Sequence, residues 1–127
     1  MLRLLLAMLL VGTLPSALPA RDAAPQTEKC ATFKSDASSM PPEARQALKR
    51  ILVACSANIA GSQCKQAIGT FEFEYGDRFT AIDRGVRTWS LLEQRSSIRR
   101  QLYSNYRNDP HLDELKECLQ NAYRAGD

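Results

Sequence analysis

The chain has 127 residues, 44% hydrophobic and 24% charged, with 6 Gly, 6 Pro and 4 Cys. These proportions exclude a disordered charged tail, a collagen-like fibre and a chain of several domains. The formal charge of +3 is modest, which argues against nucleic acid as a partner.

Residues 1–20 read as a secretory signal peptide. Met1-Leu2-Arg3 carries one positive charge, Leu4 to Leu14 is an apolar run broken only by Gly12 and Thr13, and Pro15 to Ala20 is a turn-prone stretch of small residues. A helix that crosses a bilayer needs roughly 20 apolar residues, and Pro15 and Pro19 interrupt any extension of this run. Cleavage is expected after Ala20, with Ala17 and Ala24 as the other candidate positions. A lipoprotein would need a Cys just after that point, and the first is Cys30. The layout predicts a protein exported to the periplasm or the extracellular space that does not span the membrane.

Export changes the meaning of the cysteines. In an oxidising compartment the even set Cys30, Cys55, Cys64 and Cys118 reads as two disulfides. A zinc site would need paired ligands at short spacing, whereas the chain has no C-x2-C and His111 is its only histidine. No cofactor motif is present either.

The segment that follows, residues 21–38, is expected to be loose, and residues 39–127 to form one helical domain. Ser38-Ser39-Met40-Pro41-Pro42-Glu43 combines hydroxyls, early prolines and a first-turn carboxylate, a helix-start signal. Ala44, Leu48, Ile51, Leu52, Cys55 and Ile59 follow at spacings of three and four, giving one apolar helix face. Asn58 and Gly61 mark its end, and Ser62 would cap the next helix.

Residues 69–77 admit two readings. Phe71, Phe73 and Tyr75 alternate with Glu72 and Glu74 before Gly76-Asp77, as in a hairpin strand. Over a longer window Cys64, Ile68, Phe71, Tyr75, Phe79, Ile82, Val86 and Trp89 recur at helical spacing, and Phe73 is the one large apolar residue off that line. The longer match favours a helix broken near Gly76. Leu91, Leu92, Ile98, Leu102, Tyr103 and Tyr106 continue the pattern, with a bend at Ser96-Ser97. Asn108-Asp109-Pro110 then opens a last helix, whose buried stripe is Leu112, Leu115, Cys118, Leu119 and Ala122, with Gly126 closing it. The fold class is therefore all-α, a bundle of three to four helices stapled by two disulfides. An α+β arrangement with a short hairpin around residues 70–82 is the alternative.

Helix placement bears on the disulfide pairing. Cys55 lies about a turn before the end of one helix and Cys64 just inside the next, so an antiparallel pair would join them and leave Cys30 for Cys118. In the loop-closure model these bridges contribute about 2.7 and ~4.6 kcal/mol. The rival pairs Cys30 with Cys55 and Cys64 with Cys118.

The search for catalytic residues finds no strong constellation. His111 is the sole neutral-pH base and sits at a helix start, where an exposed side chain is the plain expectation. Glu72 and Glu74 would share a face only on a strand, the one arrangement in which a paired-carboxylate glycosidase site is conceivable. No phosphate-binding loop, dinucleotide fingerprint, nucleophile elbow or zincin motif occurs. The chain is not expected to be an enzyme.

Charge is unevenly distributed. Residues 78–107 carry Arg78, Arg84, Arg87, Arg95, Arg99, Arg100 and Arg107 against Asp83 and Glu93, while residues 108–127 are net acidic. Arg84, Arg87, Arg95, Arg99 and Arg100 form the candidate binding surface, with Arg84, Arg95 and Arg99 near one helix face. Ion pairing between that face and the acidic last helix is the structural alternative. In outline, a signal peptide followed by a small helical domain with two disulfides resembles exported inhibitor and immunity proteins of bacteria. No motif matches any of those families specifically enough to carry residues over, and no family is assigned. The first expectation is a protein that works by binding a partner protein, as an inhibitor, immunity or accessory protein. The second expectation is a peripheral binder of anionic envelope lipid or polysaccharide through the arginine face.

Overall fold

The computed structural model describes residues 30–124. The proposed signal peptide, its cleavage site, residues 21–29 and Gly126 lie outside them. The described residues form five helices and no strand: α1 (Ala31–Ser39), α2 (Pro42–Ala57), α3 (Ser62–Tyr75), α4 (Thr80–Leu102) and α5 (Pro110–Arg124). The all-α class is correct and the number of helices is one more than expected.

The additional helix is α1, which occupies the C-terminal part of the segment expected to be loose. Its local signal is weak, because only Phe33 and Ala37 are buried along its nine residues. Three longer-range contacts hold it. The Phe33 ring packs against Gly85 of α4, Asp36 reaches the start of α4, and Cys30 is bonded to Cys118 of α5. Ser38 and Ser39, expected to cap α2, instead turn their hydroxyls back to the Ser35 and Asp36 carbonyls at the end of α1. Pro41 precedes α2 without a side-chain cap, and the Arg45 guanidinium donates to the Ala37 carbonyl across the joint at 3.1 Å.

α2 buries the predicted face: Ala44, Leu48, Ile51, Leu52 and Cys55. The chain folds back through Asn58–Gly61, where Asn58 Oδ1 accepts the Ala60 N–H at 3.2 Å, a tight Asx turn. α3 then begins at Ser62 with Gly61 before it, so Ser62 is the first helical residue and not the cap. Cys55 and Cys64 are bonded across this connection, with Cα atoms 4.5 Å apart. The observed pairing is thus Cys55–Cys64 and Cys30–Cys118.

The hairpin alternative is overturned: residues 70–75 are helical, and the break comes at Gly76, as the longer period predicts. A Cβ at Gly76 would lie 2.5 Å from the Glu72 carbonyl, so a residue without one relieves this corner. The turn preserves the phase of the apolar line. Cys64, Phe71, Phe79, Ile82, Val86 and Trp89 are buried, and Ile68 and Tyr75 pack against them. Burial of large side chains along such a line contributes roughly 1.5–3 kcal/mol each, which outweighs the strand-like alternation of the five residues around Phe73.

α4 runs unbroken from Thr80 to Leu102, without the bend expected at Ser96-Ser97. Ser96 is buried, its hydroxyl 3.5 Å from the Tyr106 hydroxyl. α5 begins as the sequence indicates: Asp109 Oδ1 accepts the His111 N–H at 3.0 Å, and Pro110 occupies the first turn. α5 packs on α2, α4 and α1, closing a single core that all five helices share.

Candidate functional site

α4 carries all five candidate arginines, and each is exposed. Its buried side is set by Ile82, Val86 and Trp89, so the opposite side is committed to solvent. Their neighbours differ. Arg87 pairs with Asp83 one turn away and with Glu72 of α3 at 3.7 Å. Arg100 pairs with Glu93 at 3.2 Å and donates to Asn108. Arg99 lies over the Tyr106 ring at 6.0 Å. Arg84 and Arg95 make no ion pair among the described residues. The paired arginines use acids of α3 and α4, not the acidic helix α5.

The structure adds apolar residues to this surface that periodicity had assigned to the core. Leu91, Ile98, Leu102 and Tyr103 are 54%, 57%, 68% and 59% exposed. Arg84, Thr88, Leu91, Arg95, Ile98 and Leu102 recur at spacings of four and three, and so lie along one line of the helix. Periodicity identifies a helix face; it does not say whether another element covers it. Here α1, α3 and α5 pack elsewhere on α4, and nothing among the described residues seals this line.

A second cluster sits where α3 turns into α4. Glu72, Gly76, Asp77, Thr80, Asp83, Arg84 and Arg87 line a shallow recess of about 230 Å³. The Asp83 side chain is only 6% exposed. Burial pushes its carboxyl above the ordinary value near 3.8, the Arg87 charge pulls it back, and Glu72 and Asp77 push it further up. Glu72 thus has Asp83, not Glu74, as its acidic neighbour, and Glu74 points to solvent. The paired-carboxylate arrangement at Glu72 and Glu74 does not form on a helix. Asp83 escaped sequence reading because its burial depends on the α3–α4 corner.

The third feature lies on the α2–α3 pair. Ala47, Arg50, Ala54, Gln63, Gln66, Ala67 and Thr70 line an open groove of about 350 Å³. Gln63, Gln66, Thr70 and Phe73 follow one another at spacings of three and four, so Phe73 continues the α3 wall of the groove. Phe73 is 91% exposed. Its position off the apolar line was the one sequence signal of this. Arg50 makes no ion pair among the described residues. The helices that form the groove are joined by the Cys55–Cys64 disulfide, whose sulfurs are buried.

His111 is exposed at the start of α5, and its imidazole makes no hydrogen bond or ion pair among the described residues. Among the described residues no group of three or more His, Cys, Asp or Glu side chains could hold a metal ion. No helix among them is long and apolar enough to cross a membrane. No family model, curated protein or solved structure matches the chain.

Proposed function

We propose that the chain is an exported, disulfide-stapled helical protein that binds a partner protein in the periplasm or extracellular space, in the manner of an inhibitor, immunity or accessory protein. The observation that carries this reading is Phe73, a nearly fully exposed aromatic one helical turn beyond Thr70, which lines an open groove. Aromatic anchors on preorganised elements dominate protein interfaces, since little conformational freedom is lost when they are covered. The small residues Ala47, Ala54 and Ala67 leave room for an apolar side chain of the partner, and Arg50, without an ion pair among the described residues, suits a partner carboxylate. The Cys55–Cys64 bond holds both walls in place before binding.

The test is a photoreactive amino acid at position 73 of the exported protein, with one at Lys34 on α1 as the control. Cross-linking of a single protein from position 73 alone is the expected result. Phe73→Ser should then weaken affinity for that protein by about 30-fold or more, the loss of an interface anchor, with the helical spectrum unchanged. Unchanged affinity of the Phe73→Ser protein would refute the reading.

A further inference from the structure

The line along α4 calls for a different kind of occupant. From Ile98 to Asn105 every residue is exposed, so the end of α4 and the loop after it project beyond the core, whose last fully buried member on this helix is Ser96. Residues 94–108 contain Arg95, Arg99, Arg100 and Arg107 and no carboxylate. Ile98, Leu102 and Tyr103 stand among these cations, and Leu91 extends the apolar line toward Arg84. From Arg84 to Leu102 the line is about 27 Å long.

Its composition narrows what can cover it. A second copy packed through the same face would set arginine against arginine, with no acid on the line to separate them. A polysaccharide would satisfy the guanidinium groups and leave the leucines and isoleucine in water. An anionic bilayer surface offers phosphates to the arginines and, a few ångströms deeper, acyl chains to the aliphatic side chains. Arginine stems are long enough to lie along apolar surface while their heads remain at the phosphates. Arg95, between Leu91 and Ile98 on the line, needs that reach.

We propose that the outer face of α4 docks peripherally on an anionic phospholipid bilayer. Ile98, Leu102 and Tyr103 enter the headgroup layer, and Arg84, Arg95, Arg99 and Arg107 meet lipid phosphates. Arg87 and Arg100, occupied by Asp83, Glu72 and Glu93, contribute little. No residue of this line is among those that line the α2–α3 groove.

The test is co-sedimentation of the exported protein, disulfides intact, with phosphatidylglycerol vesicles and with phosphatidylcholine vesicles. Binding to the first alone is expected, with loss in about 1 M salt, where the Debye length is ~3 Å. Arg95→Glu with Arg99→Glu should lower partitioning by about 100-fold or more. Ile98→Ser with Leu102→Ser should lower it by about tenfold or more while leaving any binding to dextran sulfate unchanged. Absence of binding to phosphatidylglycerol at low salt overturns the proposal. Binding that ignores Ile98→Ser with Leu102→Ser also overturns it, and points to an anionic polymer or acidic protein instead. Cross-linking from position 73, measured on the arginine variant, tells this result apart from a failure of the partner-protein reading.

Discussion

The carboxylate of Asp36 accepts the backbone N–H of Ile82 at 3.2 Å, 46 residues further along the chain, and that of Ala81 at 3.0 Å. An N-cap is ordinarily supplied by the residue just before the helix. Phe79 precedes α4 and has no such side chain. α1 therefore supplies the cap, and with it a negative charge at the positive end of the α4 dipole. The same bond fixes α1 in place, so each helix stabilises the other.

Asp36→Ala should accordingly lower stability by about 1–2 kcal/mol, the usual range for a lost cap. At this domain size that is a fall of ~4–8 °C in melting temperature per kcal/mol. Asp36→Asn keeps an acceptor oxygen and should lose less. Thermal melts of the two variants check the order, and equal losses would mean that the charge matters more than the acceptor.

Gly85 gives a second prediction. A helix-interior glycine is normally about 1 kcal/mol worse than alanine, yet a Cβ here would lie 2.7 Å from two atoms of the Phe33 ring. Gly85→Ala should therefore destabilise the protein by about 1–3 kcal/mol, as overpacking does. In a Phe33→Ala background the ring is gone and the same substitution should become neutral or stabilising. Urea unfolding of the four proteins in this cycle measures the change of sign.

A third prediction concerns pH. Burial raises the Asp83 carboxyl in the folded state above its ordinary value near 3.8, despite the attraction of Arg87. The folded protein therefore holds that proton more tightly than the unfolded chain. The resulting stabilisation is fully present below the unfolded value and is lost as pH rises through the folded one. Asp83→Asn removes this dependence. The stability of the native protein relative to Asp83→Asn should fall as pH is raised from about 4 toward ~7. Urea melts of both proteins across that range give the result, and a difference that rises with pH would show the opposite shift.

Much of this fold was legible from residue spacing. The stripe Ala44–Leu48–Ile51–Leu52–Cys55, the eight-residue line from Cys64 to Trp89 and the start of α5 at Asp109-Pro110 all appear in the structure. The reason is local: a helix must bury a stripe that repeats every 3.6 residues, and caps act within one turn. The favoured pairing of Cys55 with Cys64 follows from the same locality, since only a short connection separates them.

What spacing could not supply was contact between distant segments. α1 has little apolar face of its own and is held by the notch at Gly85, the Asp36 cap and the Cys30–Cys118 bond, none visible in its nine residues. The burial of Asp83 depends on the corner between α3 and α4. The arginines showed in the sequence as one cluster. Of the acids that hold Arg87 and Arg100, Asp83 and Glu93 belong to the same helix and only Glu72 comes from another, while Arg84 and Arg95 make no ion pair among the described residues. The sequence alone determined that Leu91, Ile98 and Leu102 share a helix face. Only the packing of the five described helices decided that this face meets no other among the described residues, because periodicity specifies direction around a helix axis while exposure depends on what the rest of the chain places there.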